Sequence, residues 1–263
     1  MMKNAVQCDI EHHAIMFACM AKAIFDACPD DAEQMLRTAV RTYGAERGAR
    51  MAARCLRNGD VCTPQNYQAY NERSSRPGQM NSVPVQKTPE YIIHVKKCAW
   101  VDAWEKHGLL AYGRYYCLDI DKSLTRGFEK DYEVEIGGWL SWGAEYCDMR
   151  WGFAMDEQTE LAIRKKRAGL SDGAVLDYDF HTGHLFSTLA HEFSRLAGKA
   201  GEDATRSALE DFCRRFNRAY VLAFARAYPM SRCAAQALAH LKLGKVTFEL
   251  DRIDAKSNEC YSV

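Results

Sequence analysis

Three cysteines stand close to carboxylates in the middle of the chain. They are Cys98, then Cys117 in Tyr116-Cys117-Leu118-Asp119-Ile120-Asp121, then Cys147 in Gly143-Ala144-Glu145-Tyr146-Cys147-Asp148. Thiolates and carboxylates both ligate zinc, and a thiol beside a carboxylate is also a nucleophile beside a base. No C-x-x-C pair occurs anywhere, so the spacing is not that of a zinc ribbon or finger. Three chemistries stay open: a zinc ion held by Cys98, Cys117, Asp121 and Cys147, a nucleophilic cysteine, or buried structural thiols. For a nucleophile the candidate bases are Asp119, Asp121, Glu145 and His94. Cys117 and Cys147 are the pair expected to matter most, with Asp121 and Glu145 as acid, base or ligand.

A second constellation is Tyr43-Gly44-Ala45-Glu46-Arg47-Gly48-Ala49-Arg50. Two glycines inside a helix each cost roughly 1 kcal/mol against alanine, a cost that close approach of another backbone or a ligand would offset. Arg47 and Arg50, three apart on one helical face, can fork around a carboxylate. The eight histidines are scattered, and no zincin, phosphate-loop, dinucleotide-binding or serine-hydrolase motif is present. No nucleotide cofactor is expected.

These residues need elements to hold them. Apolar residues recur at helical spacing from Ile10 to Cys28, and Pro29-Asp30-Asp31 restarts the chain into a second helix ending at Asn58-Gly59. Residues 60–90 carry four of the six prolines and read as a long connection with one helical turn near Gln65–Tyr70. Tyr91 to Val95 is β-branched and aromatic and predicts a strand ending near Cys98. Val101 to Tyr116 predicts a helix interrupted by glycines. Strict alternation at Tyr132–Ile136 predicts a half-buried strand, and Trp139–Trp151 a hairpin turning at Trp142-Gly143-Ala144. Beyond Asp156 the chain reads as a charged helix to Arg167, a loop at 171–173, helices near 180–197, 202–226 and 229–241, and a last strand at 245–250.

The expected fold is therefore α+β: an N-terminal helical pair packed on a small antiparallel sheet, followed by a C-terminal helical extension. Residues 1–155 form the site-bearing unit and 156–263 the extension. His184 to Asn217 echoes the stretch from His12 at an offset of about 172, either because amphipathic helix pairs look alike or because the extension is a partial repeat.

Lys+Arg and Asp+Glu both number 35, a balance that argues against a nucleic-acid partner. No apolar run is long enough to span a bilayer, and no signal-peptide core opens the chain. The 11 cysteines then belong in a reducing, cytoplasmic setting. A homodimer is the default assembly.

The run Tyr43-Gly44-x-x-Arg47-Gly48-x-Arg50-Met51-Ala52-x-Arg54 with Asn58-Gly59-Asp60 resembles the helix signature of the L-2-amino-thiazoline-4-carboxylic acid hydrolase family. Lys97-Cys98, Tyr116-Cys117-x-x-x-Asp121 and Gly143-x-x-Tyr146-Cys147-Asp148 follow in the same order. The resemblance covers about residues 10–153. It implies a hydrolase that opens a C–N bond in a small cyclic amide, amidine or thiazoline. Arg47, Arg50 and Tyr43 would then bind the substrate, with the 60–90 loop covering the site. The cysteines also resemble those of vinyl-reductase-type small-molecule sensor domains, which implies the alternative of a sensor or scaffold module with a cysteine-bound structural zinc.

Overall fold

The computed structural model describes residues 6–170 and 174–241. The loop expected at 171–173 and the strand expected at 245–250 lie outside the described residues. The fold is α+β, mainly helical, with a small four-stranded antiparallel sheet and helices in both the N- and C-terminal regions. Among the described residues no helix is long and apolar enough to cross a membrane.

Helix α1 (Ile10–Ala27) is the centre of the helical layer. Asp9 accepts from the backbone amides of Glu11 and His12, at 3.0 and 3.4 Å, and the His12 ring returns to the Asp9 amide, closing a capping box. Nearly every residue from Ile10 to Ile24 is buried, as befits a helix apolar on all sides. Its neighbours are α4 (Ala99–Lys106) and α5 (Leu110–Gly113), and from the far end of the chain α8 (Tyr178–Ala197) and α9 (Lys199–Arg215). One buried cluster thus runs from Cys8 to Leu241. The helices beyond 178 share the core of the first half, with α8 also lying on α2 (Ala32–Arg57). The helix expected over 202–226 is two, α9 and α10 (Arg218–Ala227), because Asn217 caps a new start by accepting from the Ala219 amide at 2.9 Å. Helix α11 (Arg232–His240) completes this layer.

The glycines of α2 mark a backbone contact with α6 (Tyr116–Phe128). A Cβ added at Gly48 would lie 2.3 Å from the Leu124 carbonyl oxygen, and one at Gly44 2.7 Å from the Ser123 Cβ. Gly127 meets the Ala45 carbonyl in the same way, at 2.4 Å. The helical cost of these glycines thus goes with two backbones crossing at a distance no side chain permits. Their position matters because α6 carries Cys117 and Asp121. Sequence patterning assigns no element to the residues after Cys117, and α6 occupies them.

The sheet has the order β1-β2-β4-β3, all neighbours antiparallel. Strand β2 (Ile92–Cys98) pairs with β4 (Cys147–Arg150), Val95 facing Cys147, and β3 (Glu135–Ile136) closes the far side. The strand expected at Tyr132–Ile136 is paired only over its last two residues, since Tyr132 and Val134 turn into the core with Phe128 and Trp151. Strand β1 (Met80–Gln86) falls where a loop is expected. It is an exposed edge strand with Pro84 at its middle, a placement in which proline costs no sheet bond. Helix α3 (Pro64–Tyr70), at the expected helical turn, is capped by Thr63 through the Asn66 amide at 3.2 Å. Helix α7 (Glu157–Gly169) packs on α3.

Candidate active site

Strand periodicity and helix periodicity aim the cysteines at one space. On β2, Ile93 and Val95 face the same side, as do Cys147 and Met149 on β4, and all four line a cavity of about 210 Å³. From the opposite side α6 presents Cys117 and, one turn later, Asp121. Cys98 ends β2 at the start of α4 and lines the same cavity, walled further by the rings of Tyr67, Trp100, Tyr116, Trp139 and Trp151. The tight α2–α6 crossing on one flank and the sheet register on the other therefore fix the distance between Cys117 and Cys147.

Cys98, Cys117, Asp121 and Cys147 thus share one cavity. The remaining expected site residues stand elsewhere. Glu145 is exposed on the hairpin and does not line it. Asp119 takes Arg37 at 2.7 Å and Arg41 at 3.2 Å, tying α6 to α2. His94 stacks on Tyr146, ring centroids 3.7 Å apart. The Tyr43 hydroxyl lies 3.1 Å from the His13 ring nitrogen in the core. Arg47 and Arg50 do fork a carboxylate, but it is the protein's own Glu72: Arg47 Nε is 3.3 Å and Arg50 Nη2 2.6 Å from it.

Arg73, which no motif marked, supplies the cavity's cation. Its Nη2 is 3.6 Å from Asp121 Oδ1, and its guanidinium lies over the Trp100 ring at 5.2 Å, a cation–π contact. The usable signal in the sequence was only a Glu72-Arg73 pair inside a proline-rich connection. Of the tryptophans in the segment expected as a hairpin, Trp139 and Trp151 line the cavity, whereas Trp142 is exposed and holds Arg114 over its ring at 4.1 Å.

Burial dominates the protonation of the site. It raises the Asp121 pKa above the ordinary carboxylate value, while Arg73 and Arg47 pull it back down. Burial also pushes the Cys117 thiol well up, with Cys98, Asp121 and Cys147 adding to it. The Cys147 thiol is pushed up to about 11 by burial, although its sulfur accepts from the Leu140 amide at 3.3 Å. The Cys98 thiol is raised by burial too, and the Val101 and Trp100 amides at the head of α4 only partly offset this. All three therefore rest as neutral thiols. Among the described residues no three His, Cys, Asp or Glu side chains are grouped so as to hold a metal ion. The four residues expected as zinc ligands share the cavity without forming such a set.

Within this α+β fold the cavity is small and aromatic, with one cation, one acid and neutral thiols on its walls, features common to pockets that take small molecules. The profile of the L-2-amino-thiazoline-4-carboxylic acid hydrolase family matches residues 8–151, more than half of the chain, and the protein belongs to that family. The matched stretch contains all of these cavity residues. No curated protein and no solved structure matches the chain.

Proposed function

We propose that the protein hydrolyses a small, carboxylate-bearing cyclic amidine, amide or thiazoline, and that Asp121 and Arg73 carry the reaction. The supporting observation is their placement together on the wall of an aromatic cavity that suits a flat ring. Arg73 takes the substrate carboxylate, as a guanidinium does with geometric specificity. The rings of Trp100, Tyr116 and Trp139 hold the heterocycle by its faces.

In this mechanism Cys117, one helical turn from Asp121, attacks the amidine or carbonyl carbon, and the Asp121 carboxylate takes the thiol proton as the new C–S bond forms. No resting thiolate is required, which suits a thiol whose pKa is raised. The ring bond at that carbon then breaks, and Asp121 returns the proton to the departing ring atom. In a cyclic amide or amidine the departing atom is nitrogen, so a C–N bond opens. In a 2-aminothiazoline it can instead be sulfur, released as a thiol. Water, deprotonated by Asp121, adds to the same carbon, and the Cys117–carbon bond breaks with the proton returned to sulfur. Cys98 and Cys147 bound the ring as neutral thiols.

The test is to incubate the purified protein with 2-aminothiazoline-4-carboxylate and with a cyclic amide acid, following ring opening by mass spectrometry and thiol release by a chromogenic reagent. Turnover of either ring that is lost in Cys117→Ser and Asp121→Asn supports the mechanism. No turnover of any ring tested, or full activity in both variants, overturns it.

A further inference from the structure

The segment that carries Arg73 is gripped from two directions. On one side the Glu72 carboxylate is wholly buried. It is met by Arg47 Nε at 3.3 Å, Arg50 Nη2 at 2.6 Å and Arg54 Nη2 at 3.6 Å, all from α2. Arg47 and Arg50 hold its pKa down against the upward push of burial, so the carboxylate stays ionised and cannot leave its place without stranding buried charge. On the other side, the backbone carbonyls around Arg73 are taken by residues from beyond the family-matched stretch. Arg167 donates to the Asn71 carbonyl at 2.8 Å, the Leu176 amide to the Glu72 carbonyl at 3.0 Å, and the Tyr178 hydroxyl to the Ser74 carbonyl at 3.0 Å. Arg54 closes the circuit by donating to the Ala174 carbonyl at 2.7 Å.

A surface connection does not need three fixings within four residues for its own sake, since its carbonyls are satisfied by water. What the fixings accomplish is to hold the one residue between them, Arg73, over Trp100 and beside Asp121. We propose that Glu72 and the C-terminal pair Arg167 and Tyr178 are positioning residues for Arg73, so that the second half of the chain sets the preference of the site for carboxylate-bearing ligands. The proposal rests on the reading of Arg73 as the carboxylate anchor. It gives residues 156–241 a role in the site that the family match, ending at 151, does not cover.

The experiment compares the full chain with Arg73→Met, Glu72→Gln and the double variant Arg167→Met/Tyr178→Phe. Binding of 2-aminothiazoline-4-carboxylate and of its uncharged carboxamide is measured by calorimetry, with circular dichroism as a check on folding. The double variant removes the Arg167 hydrogen bonds to the Gln68, Ala69 and Asn71 carbonyls and that of the Tyr178 hydroxyl to Ser74, and keeps the Tyr178 ring, so it stays interpretable if Glu72→Gln does not fold. Arg73→Met is expected to weaken the acid about 30-fold and leave the amide unchanged, and the two positioning variants to weaken the acid about tenfold with the amide again unchanged. If Arg73→Met loses the acid but the double variant binds it like the wild type, or loses acid and amide equally, the positioning role is overturned. If the wild type does not prefer the acid, or binds neither compound, the underlying reading of Arg73 falls as well.

Discussion

The guanidinium of Arg73 stands 3.6 Å from the carboxylate of Asp121, and both side chains line the cavity that also receives Cys98, Cys117 and Cys147. The two residues come from different elements, a clamped connection and the first turns of α6, and each tempers the other. Burial would make Asp121 too weak an acid to ionise readily, and the neighbouring cation restores part of its acidity. A carboxylate poised this way can both take and return a proton during a reaction.

That balance fixes the sign of a pH effect. Activity that needs ionised Asp121 falls as the pH drops below its raised pKa, so the acid limb of kcat/KM lies above the ordinary carboxylate range. Replacing Arg73 by Met removes a lowering influence, and the limb moves to higher pH. An acid limb that stays in place in Arg73→Met would show that another group titrates.

The thiols make a separate prediction. With Cys147 pushed up to about 11, its thiolate fraction at pH 7.5 is only about one in a few thousand, and burial raises the Cys117 thiol well above its ordinary value too. Alkylation of the folded protein should be slow at both positions, rise with pH, and be blocked by a bound ring compound. Cys117→Ser should lose turnover by about 100-fold or more, while Cys98→Ser and Cys147→Ser stay within about tenfold of the wild type. Peptide mapping after timed alkylation, together with rates for the three variants, checks both statements.

The α2–α6 crossing should be intolerant of a single methyl. Gly48→Ala would place a Cβ 2.3 Å from a backbone oxygen that cannot step aside. The expected cost is roughly 3 kcal/mol of stability, with a loss of activity as α6, and Asp121 with it, is pushed off α2. Chemical denaturation and an activity assay on the same preparation test this. An unperturbed midpoint would mean that the helices part freely.

Acid should unfold the helical core before the carboxylates are neutralised. His184 is fully buried with its pKa lowered to about 4, burial outweighing the nearby Glu46, and His13 and His181 are lowered well below their usual value by burial. The unfolded chain binds these protons near pH 6.5 and the folded chain does not, so stability is full above that value and drains away as the pH falls toward 4. His184 alone accounts for about 2 kcal/mol by pH 5. Denaturant midpoints measured from pH 7 to 5 should fall steadily, and a flat series would contradict neutral burial of these rings.

Much of this was legible in the residues. The apolar spacing of α1, the stop at Asn58-Gly59, and the strand ending at Cys98 follow from local periodicity and capping, which act over a few residues. The glycines of α2 announced a backbone contact because their cost demands one. Strand β1 was hidden because an exposed edge strand holding Pro84 has the composition of a loop. Arg73 was hidden because its role is wholly tertiary: nothing within its own connection hints that Glu72 will be buried against three arginines. The same holds for Arg47 and Arg50. Their spacing implies a shared carboxylate, and only the fold reveals that the carboxylate is internal.

The decisive comparison is turnover and binding by Asp121→Asn, which keeps the size of the side chain and removes its proton chemistry. A mechanism in which Asp121 moves the proton predicts that the variant folds, binds 2-aminothiazoline-4-carboxylate within a few-fold of the wild type, and opens the ring about 1,000-fold more slowly. Ring opening at the wild-type rate by a variant that lacks the carboxylate would contradict it.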